Sequence, residues 1–393
     1  RSPSRGLGDV YKRQGDSRSC CRNFHRNGYQ QQIWGIRQPG TDAEWYIHSI
    51  INTYHPSIIR YFIKTKYPDY PLYKELNAKC NFMIPFQDIT LADKDTITSF
   101  TMKSNRRNCD LSFSNLCSWR FLYNTQFAVV DNFLVFKFWA GEQLAYMMPV
   151  GTGDLKAALK ELFEDAGKEN QSFCMLGVCA NMRAELETIL PEQFTFTEDR
   201  DYADYIYLRS DLSTLKGKKF QAKRNHINRF RNTYPDYEYA PITPDRIREC
   251  LDLEAEWCKV NNCDQQEGTG NERRALVYAL HNFEVLGLTG GILRVNGKIV
   301  AFTFGMPINH ETFGVHVEKA DTTIDGAYAM INYEFANRIP EQYIYINREE
   351  DLGIEGLRKA KLSYQPVTIL EKYMACLKSH PMDMVKWLSL IHI

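Results

Sequence analysis

From residue 83 onward, apolar positions recur with a period near 2 in some stretches and near 3.6 in others. Residues 91–104 read as a helix, with Thr90 placed to cap it. Residues 127–139 alternate about a polar pair, Asp131 and Asn132, which predicts a hairpin; 143–150 continue as a strand until Gly151, Thr152 and Gly153 break it. An amphipathic helix follows over 154–165, then a short apolar strand over 172–178, a helix over 181–190 and renewed alternation over 202–208.

After a join at 210–214, the pattern predicts helices over 218–232, 244–260 and 271–286. Alternating runs at 290–295 and 299–306 flank Asn296 and Gly297, a strong short-range hairpin signal. A strand at 313–318, a helix at 324–338, a strand at 342–346, a helix at 354–362 and a last strand at 367–373 complete the series. Interleaved strands and helices predict an α/β (α+β) protein. Two successive domains are expected, 83–209 and 210–378, each a mixed, largely antiparallel sheet flanked by helices.

The ends read differently. Residues 1–14 and the final LSLIHI resemble translated sequencing-adapter DNA and are set aside like a tag, and residues 379–393 are read as a tail. All eleven methionines lie at or after Met83. Residues 15–82 show no sustained amphipathic period, so they are expected to be upstream read-through or a disordered extension, with translation starting at Met83. The competing reading is a genuine extension with a helix near 44–64.

Composition narrows the function classes. Apolar residues make up 44% of the 393, enough for a sizeable core, and the 48 basic and 48 acidic residues cancel. A neutral chain does not attract nucleic acid as a whole, which leaves only local basic faces. No run approaches the roughly 18 apolar residues of a membrane-spanning helix. Eleven cysteines without CxxC spacing read as reduced core thiols, which points to the cytoplasm. No metal-ligand constellation and no Walker-type phosphate loop is present.

Three groups of residues carry candidate chemistry. The first is the basic stretch 216–231, with seven Lys or Arg and no acid, including Lys218, Lys219, Lys223, Arg224 and Arg229. Phe220, Ile227 and Phe230 share one helix face, so the cations project elsewhere. Their mutual repulsion suits a polyanion such as a tRNA acceptor arm, with anionic lipid headgroups as the second candidate. The competing reading is a solvated face balanced by acids from elsewhere in the fold.

The second group is 347–361. Asn347, Arg348, Glu349 and Asp351 precede a glycine-bearing turn, and Arg358, Lys359 and Lys361 follow on a helix. Two guanidinium forks here can grip a phosphate or carboxylate, with the acids orienting them or receiving an amino group. A salt-bridge network holding the last helix to the sheet is the alternative. The third group is His316 and Glu318, two apart on one strand face, with Lys319 on the other. Either of the pair can serve as the base that acyl transfer to a hydroxyl or amine requires, and a structural ion pair is the alternative. Trp257 is read as core, and Cys258 lacks the sequence context of a nucleophile.

The residues His316 to Ala320, Ile324, Gly326, Tyr328, Asn332, Tyr345 to Gly353, Gly356 to Lys361, Ser363, Tyr364 and Pro366 together resemble the family of soluble bacterial proteins classified with the C-terminal, catalytic part of phosphatidylglycerol lysyltransferase. The resemblance covers roughly residues 83–378. It implies two tandem GNAT-like (acyl-CoA N-acyltransferase-like) domains. It also implies an enzyme that moves an aminoacyl group from aminoacyl-tRNA to a lipid hydroxyl or an amine acceptor. In GNAT enzymes a tyrosine near the position of Tyr364 often protonates the leaving group. Acetyl-CoA users carry Arg/Gln-x-x-Gly-x-Gly/Ala before the central helix, whereas residues 319–326 here read KADTTIDG.

The expectation is therefore direct transfer with no tightly bound cofactor and no metal, in the cytoplasm or peripherally at the inner face of the membrane. An acyl-CoA-dependent N-acyltransferase is the rival enzyme. A non-catalytic GNAT-like protein that binds RNA or a ligand is the rival from outside enzymology.

Overall fold

The computed structural model describes residues 84–261 and 267–378; the readings for 1–83, 262–266 and 379–393 lie outside them. The expected hairpins form where the turn residues permit. Strands β2 (Gln126–Val130) and β3 (Phe133–Ala140) are joined by Asp131 and Asn132, at φ 43° and 67°. Both lie in the left-handed region that matches the twist of a tight hairpin. Asn296 and Gly297, at φ 50° and 76°, do the same for β10 (Thr289–Val295) and β11 (Lys298–Pro307).

Two mixed sheets result. In the first, β1 (Gln87–Asp88), β2, β3 and β4 (Gln143–Tyr146) are antiparallel neighbours; β4 then pairs in parallel with β6 (Cys174–Cys179), followed by β15 (Lys372–Leu377) and β7 (Phe194–Glu198). The short β5 (Val150–Gly151) sits beside β3. In the second, β9 (Glu238–Pro241), β10, β11 and β12 (Thr312–Ala320) are antiparallel; β12 pairs in parallel with β13 (Tyr345–Asn347), followed by β8 (Asp204–Leu208) and β14 (Thr368–Leu370). The two sheets thus repeat one plan: four antiparallel strands, a parallel join, and two further antiparallel strands.

The repeat is reciprocal in an unexpected way. The last strand of each half inserts into the sheet of the other: β8 lies between β13 and β14, and β15 lies between β6 and β7. The expected boundary between residues 209 and 210 therefore separates the chain but not the sheets. The single last strand expected at 367–373 is two strands in two different sheets, interrupted at Glu371. The expected join at 210–214 is helical, α6 (Arg209–Thr214).

The other helices are α1 (Lys94–Thr101), α2 (Phe113–Ser118), α3 (Arg120–Tyr123), α4 (Leu155–Lys168), α5 (Ala180–Ile189), α7 (Gln221–Thr233), α8 (Ile247–Val260), α9 (Glu267–His281), α10 (Phe283–Leu286), α11 (Ala327–Ala336) and α12 (Glu355–Leu362). Asp154 caps α4 by accepting from the Ala157 amide at 3.0 Å. One apolar cluster joins the halves: Phe127, Leu134 and Phe136 of the first sheet, Phe113 and Leu116 of α2, Leu253 of α8, Leu276 and Leu280 of α9, and Phe302 and Phe304 of the second sheet. A fully buried Phe or Leu is worth about 1.5–3 kcal/mol. The two halves cannot part without exposing this shared core.

A polar staple marks the exchange. Lys372 opens β15 and reaches Asp204 at the start of β8 at 2.8 Å, Glu350 at 2.5 Å and Asp110 at 3.0 Å. Cys174 and Cys376, direct neighbours across β6 and β15, form a disulfide, contrary to the expectation of reduced thiols throughout. Cys109, Cys117, Cys179 and Cys250 are free and buried. Among the described residues no helix is long and apolar enough to cross a membrane.

Candidate active site

The parallel join in the second sheet is short. Strands β12 and β13 pair only from Thr312 with Tyr345 to Gly314 with Asn347. Beyond that point β12 continues to Ala320, while the other chain turns away through Glu349 (φ 58°), Leu352 (φ 50°) and Gly353 (φ 74°). The strands part into a fork. His316 and Glu318 come from one arm, Arg348 and Glu349 from the other.

The structure pairs these residues differently from the sequence reading. Glu318 accepts from Arg348 Nη2 at 2.9 Å and from Asn332 Nδ2 of α11 at 3.1 Å. His316 does not share a proton path with Glu318. Its Nδ1 lies 2.8 Å from Glu349 Oε1 and its Nε2 lies 2.8 Å from Ser112 Oγ. A carboxylate can only accept, so Nδ1 carries hydrogen, and in the neutral ring Nε2 accepts from the Ser112 hydroxyl. Asn115 Nδ2 also donates to Glu349 Oε1, at 2.8 Å. With both nitrogens engaged and the side chain 4% exposed, His316 is held as a positioning group and is not open to an incoming nucleophile. Ser112 is 204 residues away in sequence, and no motif announces it.

Arg348 is the unsatisfied member. Its side chain is 10% exposed, and Nη1 has no hydrogen-bond partner. The buried Oδ1 of Asn332 is likewise unpartnered. Native interiors rarely leave such groups unpaired. The guanidinium lies 4.9 Å from the Tyr364 ring centroid and 5.7 Å from that of Tyr207. Lys223 of the basic helix α7 reaches the same place, its Nζ 3.8 Å from the Tyr364 centroid. Burial, reinforced by the Arg348 charge and opposed by Glu318, depresses the Lys223 ammonium to about 8. Burial also pushes the Tyr364 phenol above its ordinary range, so the hydroxyl stays protonated at neutral pH.

Other expected site residues serve the frame of the fork. Asn347 donates to Asp204 at 2.8 Å and to the Arg107 carbonyl at 2.7 Å, and its Oδ1 accepts from the Glu349 amide at 2.7 Å. Lys361 is buried and donates to the carbonyls of Arg348 (2.6 Å) and Glu350. Burial lowers its pKa. Arg358 does not join Arg348. Its fork is taken by fully buried Asp351, through Nε at 2.8 Å and Nη2 at 2.7 Å, and by Asp201 at 2.5 Å. Although burial alone would raise the Asp351 carboxyl, Arg358 and Tyr205 hold it well below the usual carboxylate range. The joint anion grip expected of Arg348 and Arg358 is thus not formed, because Asp351 and Asp201 hold Arg358 while Glu318 holds Arg348. Lys359 is exposed. Lys319 lies outside the fork, as its strand parity requires, 2.9 Å from Glu272 and 3.5 Å over the Trp257 ring.

Phe220, just before α7, and Ile227 and Phe230 on it are buried as the spacing predicts. Acids relieve part of the charge: Lys219 meets Asp211 at 2.8 Å and Arg229 meets Asp325 at 2.5 Å. Arg224 donates to the carbonyls of Leu215 and Gly217 (2.8 Å for the latter). Lys216 and Lys218 stay exposed. In the loop before α11, Asp321 accepts from Thr323, at 2.9 Å from its amide and 2.7 Å from its hydroxyl. This loop, where a CoA pyrophosphate would be cradled, thus carries the Asp321 carboxylate, while its Asp325 is held by Arg229. Cys109, Asp204 and Glu350 offer metal-ligand atoms within 4.8 Å of one another, but the Lys372 ammonium sits among them and takes a cation's place.

A family model for phosphatidylglycerol lysyltransferase, C-terminal, matches residues 101–376. Among solved structures, a conserved protein of unknown function from Bacteroides thetaiotaomicron VPI-5482 is 90% identical, with a TM-score of 0.74 over 75% of this chain and 100% of its own. The C-terminal domain (DUF2156) assigned to a lysylphosphatidylglycerol synthetase from Agrobacterium fabrum is 12% identical, with a TM-score of 0.55 over 77% of this chain and 97% of its own. L-PGS from Bacillus licheniformis is 18% identical, with a TM-score of 0.51 over 75% of this chain and 95% of its own. These two share the fold. An uncharacterized protein of Mycoplasmoides gallisepticum, MYCGA3080, is 26% identical over 180 residues, 44% of this chain and 55% of that protein. The chain thus spans about half the length of that relative.

Proposed function

The chain belongs to the phosphatidylglycerol lysyltransferase C-terminal family, and from that premise we propose that its fork transfers an aminoacyl group from aminoacyl-tRNA to a lipid hydroxyl or an amine acceptor. The observation that carries the reading is the buried, unpartnered Nη1 of Arg348, placed beside Lys223 of the basic helix α7. A donor whose body is a polyanion and whose reactive end is an ester needs both features in one place.

The chemistry follows from the residues. Lys223 Nζ, depressed to about 8, accepts the proton of the acceptor hydroxyl or amine. The acceptor atom attacks the ester carbonyl carbon, and the developing oxyanion is held by Arg348 Nη1 in a site shielded from water. The bond to the tRNA ribose oxygen breaks, and that oxygen takes a proton from the Tyr364 hydroxyl, which Lys223 then reprotonates. Asn332 Oδ1 and Glu318 accept from the α-ammonium of the aminoacyl group. Glu349 and Ser112 fix His316 as a wall of the fork. Lys216 and Lys218 meet tRNA phosphates at the N-terminal approach to α7. Asp321 disfavours the CoA alternative, because its carboxylate repels a pyrophosphate where that cofactor would lie.

The test is transfer by the full chain from tRNA charged with a labelled amino-acid mixture, scored in lipid and in small-amine fractions. Label in either fraction that disappears in Arg348→Gln and Lys223→Gln supports the reading. Binding of charged tRNA without turnover supports the non-catalytic alternative.

A further inference from the structure

A cavity of about 530 Å³ opens at the C-terminal end of α2, and none of the fork residues lines it. Cys117 and Ser118 of α2, Arg120 and Phe121 of α3, and Arg274 and Tyr278 of α9 form much of its wall. Each arginine is planted on a ring. The Arg120 guanidinium lies 4.5 Å from the Tyr278 centroid, and that of Arg274 lies 3.9 Å from the Phe121 centroid. Arg120 is oriented further by donating to the Cys117 carbonyl at 2.5 Å. Among the described residues neither guanidinium has a carboxylate partner. Asp88, the only carboxylate in the described wall, is exposed and accepts from Gln126 Nε2 at 2.9 Å.

The decisive feature is Ser118. It is 5% exposed, it faces the cavity, and its hydroxyl has no hydrogen-bond partner. A buried hydroxyl left unpaired costs stability, and a ligand oxygen would remove that cost. Two guanidiniums and a hydroxyl line the same cavity, several donors for which a phosphate, with more acceptor oxygens than a carboxylate, is the better match. The volume leaves room for more than the anion alone, and the rings of Phe121 and Tyr278 supply apolar wall for an organic part.

We propose that this cavity binds a phosphate ester, with Arg120 and Arg274 on the phosphate oxygens and Ser118 donating a further hydrogen bond. The site is independent of the transfer reaction proposed for the fork. A soluble phosphate ester and a phospholipid headgroup present the same chemistry, and the experiment separates them.

The full chain is titrated calorimetrically with sn-glycerol 3-phosphate, and in parallel with acetate. It is also floated with vesicles of phosphatidylglycerol and of phosphatidylcholine. Glycerol phosphate is expected to bind saturably, and Arg274→Gln to weaken it by about tenfold or more. Ser118→Ala should weaken binding without lowering the melting temperature, since it removes an unpaired group from the free protein. Vesicle binding lost in the same variants identifies the headgroup as the source. Binding confined to the soluble ester identifies a free ester. Absence of binding to both overturns the proposal, as do acetate binding as tightly as the ester and variants that bind like the unaltered protein.

Discussion

Asp204 and Lys372, the first residues of the two exchanged strands, meet in an ion pair of 2.8 Å, with 0% and 5% of their side chains exposed. Each strand leaves its own half at this point and enters the other, so the pair joins both crossings. Asp110 and Glu350 complete the shell around the one ammonium. Removing the ammonium leaves three carboxylates facing one another, and breaking a buried pair from one side costs about 3–5 kcal/mol. Lys372→Met should therefore lower unfolding free energy by an amount in that range in urea titrations. Exposed Lys359→Met should stay within about 0.5 kcal/mol. Equal effects would deny the staple its role.

The same cluster predicts a pH dependence. Burial, with the negative charges of Glu350 and Asp110, raises Asp204 from 3.8 to about 7, against the pull of Lys372. Its folded value lies above its unfolded one, so the associated stability is present below about pH 4 and is lost as pH rises through 7. Glu350 works in the opposite sense. Burial would raise it, but Lys372 lowers it to about 2, so its contribution is lost only as pH falls through 2. Between pH 5 and 7 the Asp204 slope stands alone in this cluster, at up to about 1.4 kcal/mol per pH unit. Asp204→Asn should flatten the stability profile in that window. A profile with unchanged slope would contradict the assignment.

Arg358→Lys should lower the melting temperature while aminoacyl transfer by the folded protein holds. Lysine cannot reproduce the two-pronged contact to Asp351 or reach Asp201 at once. A variant of normal stability with reduced donor affinity would return Arg358 to the binding site.

The exposed cations just before α7 act through phosphates alone. Lys216→Glu with Lys218→Glu should flatten the salt dependence of tRNA binding by about one unit of slope for each lost contact. Melting should shift by no more than a surface substitution usually causes. An unchanged slope would mark the helix as merely solvated.

Much of the fold was legible in local pattern. Turn residues at 131–132 and 296–297, the apolar face of α7 and the opposed parity of Glu318 and Lys319 each specify their structure from neighbours a few residues away. The strand exchange was not legible, because alternation in 204–208 or 372–377 says that a strand forms and nothing of which sheet receives it. Strand 194–198 alternates as Phe-Thr-Phe-Thr-Glu, a period-2 signal legible in the residues themselves. In the fork, Glu318, Arg348 and Tyr364 were named from sequence. The partners of His316 and Glu318 were not legible, because same-face spacing places two side chains without choosing what they meet, and Glu349, Ser112 and Arg348 arrive from other elements. In the sequence Lys223 is one cation among many, and only the packing of α7 on Tyr364 distinguishes it.

The central claim rests on the donor. The direct measurement compares initial rates of acyl transfer by the full chain from charged tRNA and from acetyl-CoA, across pH 6.5–9.5 (a range about the value of about 8 for Lys223), with Arg348→Lys in parallel. The account predicts transfer from charged tRNA alone, rising through pH 8, and lost in Arg348→Lys because one ammonium nitrogen cannot occupy both the Nη2 position on Glu318 and the separate Nη1 position that faces the oxyanion. Transfer from acetyl-CoA that is indifferent to tRNA, or tRNA-dependent transfer undiminished in Arg348→Lys, would contradict it.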